Sequence, residues 1–209
     1  MTKVKFCGLS RIEDIIAAND LEPDYIGFVF AKGSKRQVSF DAACKLKTAL
    51  SKKIKSVGVF VNEEVKKTAN IANDGVIDII QLHGDEDGEY IKTLRSLTDK
   101  PIIQAVILKE DLSVKKANDS PADFVLLDAG RGEGKIFDWE LTKKIIRPYF
   151  LAGGLNDKNV AEAVAKLNPY AVDVSGGIET NGKKDHAKMK SFLRVVNDIP
   201  DNVWRKESK

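Results

Sequence analysis

Six polar side chains, Cys7, Arg36, His83, Asp128, Asp173 and Ser175, stand in or just beyond apolar runs of this 209-residue chain. They offer a thiol, a guanidinium, an imidazole, two carboxyls and a hydroxyl, a set suited to acid–base work on an anionic substrate. Cys7 ends the run Lys3–Cys7 and is followed directly by Gly8, which opens room beside the sulfur. A thiol there is either a small core filler or a base. Asp128 ends Phe-Val-Leu-Leu. A carboxyl on an apolar rim is partly desolvated, which raises its pKa and fits a general acid. Arg36 sits in a loop of glycine and basic residues, either solvated or serving as the fork for a substrate carboxylate. His83, before Gly-Asp, is either a loop residue bonded to backbone or part of a site. Asp173 lies inside an apolar run and needs a partner, which favours a structural role. Cys44 falls in a helical pattern and reads as structural.

Two glycine turns add a second kind of chemistry. Phe150-Leu-Ala runs into Gly153-Gly154, and Ala171–Val174 runs into Ser175-Gly176-Gly177. Glycines let the backbone turn sharply and bring its N–H groups up to an anion. If Asn156 caps the helix that follows the first turn, the positive end of that helix faces the same place. Gly153, Gly154, Ser175 and Gly176 are therefore candidate phosphate ligands.

These residues need a frame that gathers them, and the apolar pattern supplies one. Strands are expected at Lys3–Cys7, Asp24–Phe30, Lys55–Val61, Ile77–Leu82, Pro101–Leu108, Asp123–Leu127, Tyr149–Ala152 and Tyr170–Val174. A helical pattern follows each. The first, Arg11–Asn19, is opened by the capping box Ser10-x-x-Glu13. Ser39 caps a helix to about Leu50, Asn62 caps one through Asn73, and another runs from Asp87 to Leu97. Asp111–Asn118 reads as one or two helical turns or as a loop. Asp138 caps Trp139–Ile146, and the last helices cover Asn156–Leu167 and Asp185–Asn197. Gly130–Lys135 is too glycine-rich for regular structure. Alternation repeated eight times predicts a parallel α/β fold, and eight units favour a closed (βα)8 TIM barrel, a single domain over residues 1–209. No G-x-G-x-x-G follows the first strand, against a dinucleotide fold. Trp204, in a polar tail, is expected to cover the barrel floor or a neighbouring helix.

In such a barrel phosphate binds after strands seven and eight, where the two glycine turns fall. The net charge of +3 argues against a nucleic-acid partner. Two cysteines without metal spacing, no signal-peptide h-region and no run long enough to span a membrane point to a cytoplasmic protein that engages no membrane. No cluster has metal-ligand spacing and nothing demands a cofactor.

Several stretches resemble phosphoribosylanthranilate isomerases: Lys5-Phe-Cys7-Gly8-Leu-Ser-Arg, Ile26-Gly-Phe-Val-Phe, Arg36-Gln-Val-Ser39, Val57-Gly-Val-Phe-Val-Asn62 and Gln81-Leu-His83-Gly-Asp-Glu86. So do Leu126-Leu-Asp128, Phe137-Asp-Trp139, Leu151-Ala-Gly-Gly-Leu155 and Val172-Asp-Val-Ser-Gly-Gly-Ile-Glu179, in order, from Lys3 to about Val196. The resemblance implies a cofactor-free Amadori rearrangement of phosphoribosylanthranilate, a small-molecule substrate, by a monomer or homodimer. It implies Cys7 as general base, Asp128 as general acid, Arg36 on the anthranilate carboxylate, and Gly153, Gly154, Ser175 and Gly176 on the phosphate. His83 and Asp173 match positions near the pocket and are candidate substrate-binding residues. Lys5 alternates with Cys7 on one strand face and is a candidate to perturb the thiol.

Three departures from the family pattern stand out. Ser175-Gly176-Gly177 replaces a frequent Ser-Ser-Gly, the loop after Asp128 reads Gly-Arg-Gly-Glu-Gly-Lys, and the loop before Arg36 lacks a common proline. Alternatives are other phosphosugar barrels. Indole-glycerol-phosphate synthase would bring an N-terminal extension and catalytic Lys and Glu residues. The histidine-pathway aminoaldose isomerase would present Asp where Cys7 stands. A non-catalytic binder of a phosphorylated ligand would keep affinity without turnover.

Overall fold

The computed structural model of the chain describes residues 1–128 and 139–199. Eight parallel strands follow one another around a closed barrel: β1 (Lys3–Cys7), β2 (Tyr25–Val29), β3 (Lys55–Phe60), β4 (Ile79–Leu82), β5 (Ile102–Ile107), β6 (Phe124–Asp128), β7 (Tyr149–Ala152) and β8 (Ala171–Val174). The ring closes where β8 pairs with β1, in a register that sets Asp173 beside Lys5. Helices alternate with the strands: α1 (Ile12–Leu21), α2 (Phe40–Ala49), α3 (Val65–Asn73), α4 (Gly88–Arg95), α5 (Asp111–Asn118), α6 (Trp139–Thr142), α7 (Val160–Leu167) and α8 (His186–Asn197). Between β8 and α8 the chain makes a 3-10 turn, Gly176–Ile178, and a small antiparallel hairpin of β9 (Glu179–Thr180) and β10 (Lys183–Lys184).

The strands read as nearly unbroken apolar runs because both faces are covered. Side chains alternate across each strand. Phe6, Ile26, Phe28, Phe60 and Ile80 belong to the large cluster that the helices complete, while Tyr25, Val57, Ile79, Ile103, Leu126 and Phe150 form a separate cluster inside the barrel. Rings close the lower end of that inner core. Phe124 stacks on Tyr170 at 5.1 Å, Tyr25 and Phe150 lie 5.5 Å apart, and the Lys3 ammonium sits 5.1 Å from the Tyr170 centroid. Cys7, Val29 and Val59 make a third, smaller cluster.

Several helix starts differ from the sequence expectation. The box Ser10-x-x-Glu13 does not form, because Asp14 reaches back instead. Its carboxylate accepts from the backbone N–H of Ser10 and Arg11, each at 3.0 Å, and from the Arg11 guanidinium. Asn62 does not cap α3, which begins at Val65. Its backbone takes the left-handed conformation (φ 49°), and its side-chain oxygen accepts from the N–H of Asp85 at 2.7 Å, tying the loop after β3 to the loop after β4. Asn156 caps a single turn, accepting from Lys158 N–H at 2.9 Å, but α7 proper starts only at Val160. α5 is a helix over Asp111–Asn118, and α6 stops at Thr142, short of the expected Ile146. Ser39, Asp87 and Asp185 cap α2, α4 and α8 with their side chains. The Gly130–Lys135 loop, the cap expected of Asp138 and the contacts expected of Trp204 lie outside the described residues.

Candidate active site

The parallel barrel puts every strand end on one rim, and that rim collects the residues singled out above. Cys7 is the last residue of β1 and Asp128 the last of β6. Around the ring the order β6-β7-β8-β1 leaves between them the two strands that carry the glycine turns. A carboxyl and a thiol therefore flank the two glycine turns.

Behind Cys7, two inward positions of neighbouring strands hold a buried ion pair. Lys5 Nζ donates to Asp173 Oδ1 at 2.9 Å, with Lys5 wholly buried. Asp173 thus has the partner its position requires. Burial works against the Lys5 charge, but the Asp173 carboxylate and the neighbouring Cys7 outweigh it, so its pKa rises. Burial also pushes the Cys7 thiol up, helped by Asp173, while Lys5 and Lys184 pull it down without cancelling the rise. Lys5 thus acts on the thiol in the lowering direction, and burial outweighs it. Gly27 on β2 makes the meeting possible: a Cβ there would lie 2.8 Å from Cys7 Sγ and 3.3 Å from Lys5 Nζ.

Arg36 reaches the same rim from the loop after β2. Its aliphatic stem crosses Gly8, where a Cβ would fall 2.4 Å from Arg36 Cδ; φ of +80° independently demands glycine there. The guanidinium grips Glu179 through Nε–Oε1 at 2.6 Å and Nη2–Oε2 at 2.8 Å. Lys184 Nζ also donates to Glu179 Oε1, at 2.6 Å. Burial alone would raise the Glu179 carboxyl, but Arg36 and Lys184 reverse this and hold it down at about 2. Nothing in the sequence marks Glu179 or Lys184 for this role. A Glu followed five residues later by a Lys signals nothing until a hairpin pairs them.

His83 follows β4 directly and lies 3.4 Å, Nε2 to Oδ2, from Asp128. Gln81, two residues earlier on the same strand face, places its amide nitrogen 2.9 Å from His83 Nδ1. As a donor, that amide keeps Nδ1 free of a proton and aims Nε2–H at Asp128. The Gln81 Oε1 atom is buried without a hydrogen-bond partner. Gln81 opens the resembling stretch Gln81–Glu86, yet only its inward strand position in the barrel gives it a role.

The two glycine turns lie against each other. Gly153 and Gly154 both take positive φ, 98° and 64°. Gly177 of the second turn packs on the first, since a Cβ there would sit 2.0 Å from the Leu155 carbonyl oxygen. Among the turn and loop hydrogen bonds of the described residues, none uses the N–H of Gly153, Gly154 or Gly176, which leaves three donors for an anion. The Ser175 hydroxyl does not face outward: it donates to the Cys7 carbonyl at 2.9 Å, so this serine locks β8 to β1. Among the described residues, no three His, Cys, Asp or Glu side chains converge to hold a metal. A hollow of about 350 Å³ between the ends of α6 and α7, lined by Thr142, Arg147 and Asn168, lies among the loops that enter the strands, away from this rim.

Fold and site together define a (βα)8 barrel that gathers a thiol, a carboxyl and two glycine turns at its strand ends. Residues 4–195 match the family model for N-(5'phosphoribosyl)anthranilate (PRA) isomerase. The chain belongs to this family. A relative named N-(5'-phosphoribosyl)anthranilate isomerase from Endomicrobium trichonymphae is 46% identical over 204 residues, covering 95% of this chain and all of the relative. The crystal structure of the phosphoribosyl anthranilate isomerase from Thermus thermophilus superimposes with a TM-score of 0.85 at 30% identity, over 95% of this chain and 100% of that one. A phosphoribosyl anthranilate isomerase in complex with reduced 1-(o-carboxyphenylamino)-1-deoxyribulose 5-phosphate matches with a TM-score of 0.82 at 34% identity, over 94% and 99% of the two chains.

Proposed function

We propose that this chain, as one barrel domain, isomerises N-(5'-phosphoribosyl)anthranilate to 1-(2-carboxyphenylamino)-1-deoxyribulose 5-phosphate, the Amadori step of tryptophan biosynthesis. The observation that carries the residue roles is the placement of Cys7 and Asp128 on either side of β7 and β8 at one rim. Asp128 gives its proton to the furanose ring oxygen. The C1–O bond breaks and a protonated Schiff base forms between C1 and the anthranilate nitrogen. Cys7 then removes the C2 proton as its thiolate, and the resulting enolamine tautomerises to the ketone. One proton is given, one is taken, and no redox partner is needed.

The surrounding groups account for how these two act. Lys5 and Lys184 stabilise the thiolate when it forms, which offsets part of its burial. The Nε2–H of His83 stabilises the Asp128 carboxylate left after proton transfer, an interaction stronger once charge has developed. The N–H groups of Gly153, Gly154 and Gly176 hold the phosphate, and Arg36 holds the carboxylate at the other end. Anchoring both ends contributes proximity, often a larger share of the barrier than one proton transfer. Among the described residues no helix is long and apolar enough to cross a membrane, and the two unpaired cysteines suit the reducing cytoplasm, where the reaction would run.

The test is a fluorescence assay. Anthranilate and phosphoribosyl pyrophosphate, with the upstream transferase, generate the labile substrate, and this protein should speed its disappearance. Unchanged decay in its presence would sink the assignment.

A further inference from the structure

In the proposed reaction Arg36 meets the substrate carboxylate, yet its guanidinium already holds a carboxylate of its own. Glu179 is bound side-on: Nε to Oε1 at 2.6 Å and Nη2 to Oε2 at 2.8 Å. That edge is backed by a second cation. The hairpin register sets Lys184 directly across from Glu179, and Lys184 Nζ donates to Oε1 at 2.6 Å, to the Ser175 carbonyl at 3.0 Å and to its hydroxyl at 3.2 Å. The side chains of Lys184 and Glu179 are 2% and 11% exposed, that of Arg36 35%. The inner part of the network is closed from water and its outer part is open.

A guanidinium carries five N–H donors in one plane. The side-on grip uses Nε–H and one hydrogen of Nη2, and leaves the Nη1–Nη2 edge pointing the other way. No hydrogen bond of the described residues ends on Nη1. That free edge is itself a two-pronged fork matched to a carboxylate. Two readings of the pair follow, with opposite signs. Glu179 either competes with substrate for Arg36 or aims it. Competition would strip Glu179 of both Arg36 bonds and leave its desolvated charge on Lys184 alone, which is costly for a buried carboxylate.

We infer that Glu179, braced by Lys184, is a positioning residue. It fixes the plane of Arg36 so that the Nη1–Nη2 edge presents to the aromatic carboxylate, and so selects for substrates bearing that group. This deepens the isomerase reading and rests on it. The motif Ser175-Gly176-Gly177-Ile178-Glu179 then serves both ends of the substrate: backbone for the phosphate, and the last side chain, through Arg36, for the carboxylate.

The experiment compares wild type, Glu179→Gln and Glu179→Asp in steady-state turnover and in binding of two reduced product analogues, one with the ring carboxylate and one with hydrogen in its place. In Glu179→Gln, KM and the dissociation constant of the carboxylated analogue should both rise about 10–100-fold, the value of a lost charge-assisted contact. kcat should change little, and affinity for the analogue without the carboxylate should hold. Glu179→Asp, too short for both bonds, should fall between. Tighter binding of the carboxylated analogue by Glu179→Gln would mean that Glu179 competes, and equal losses for both analogues would mean that it merely supports the fold. Either result overturns the inference. Absence of turnover by wild type would instead strike the isomerase reading, while the two binding constants still decide the role of Glu179.

Discussion

As base and acid of the proposed isomerisation, Cys7 and Asp128 differ in how their surroundings prepare them. The thiol is raised by burial, and a base must be deprotonated to act. The acid must keep its proton while the base has lost its own, so kcat/KM should be bell-shaped in pH, with both limbs belonging to the Cys7–Asp128 pair; a profile that only rises through the ordinary thiol range would contradict Asp128 as the acid. Cys7→Ala and Asp128→Asn should each lose about 10²–10⁴-fold in kcat while binding the reduced product analogue nearly as well as wild type. Single-turnover fluorescence and analogue titration measure both. Glu179 carries a stability consequence of its own. Its pKa falls from 4.5 to about 2 on folding, so the stabilisation is complete above pH 4.5 and lost as the pH drops toward 2. Urea unfolding across that window should show the loss, and Glu179→Gln should flatten it.

At the scale of elements, the informative contact is between two turns rather than two side chains. Gly177 lets the turn after β8 rest on the Leu155 carbonyl of the turn after β7, and a methyl group at Gly177 would sit 2.0 Å from that oxygen. Gly177→Ala must push the turns apart. The expected result is weaker competitive inhibition by inorganic phosphate and a higher KM, with a smaller change in kcat. An unaltered phosphate inhibition constant would show that the cradle lies elsewhere. The hairpin β9–β10 is the other element with a consequence. It is only two residues per strand, yet its pairing delivers Lys184 into the rim. A pattern so short carries no periodic signal, which is why it was illegible in the sequence.

The molecule as a whole depends on one ion pair where the barrel closes. Lys5 and Asp173 lie side by side on β1 and β8, and Lys5 is wholly buried. Removing one partner strands the other charge, so Lys5→Met should cost about 3–5 kcal/mol of stability, whereas Lys5→Met with Asp173→Leu should recover most of it. Chemical denaturation of the two variants checks this; equal losses would show that the pair's electrostatics do not matter to closure. Activity should fall in both, because the thiolate loses a cation.

The sequence by itself determined the number and order of strand–helix units, the rim to which Cys7, His83, Asp128 and the glycine turns belong, and the parallel barrel that gathers them. These follow from patterns local to a few residues: apolar runs, punctuating glycines, and polar side chains just past a strand. Caps were read less well, since Asp14 and Asn62 each had several acceptors or donors within reach and only packing chose among them. The tertiary structure alone decided which charges meet. Lys5 finds Asp173 and Arg36 finds Glu179 across residue separations no local pattern encodes, and Lys184 completes that grip across a hairpin. The reason is physical: hydrophobic periodicity is written along the chain, while Coulombic partners and close backbone contacts exist only once the ring has closed and brought its ends together.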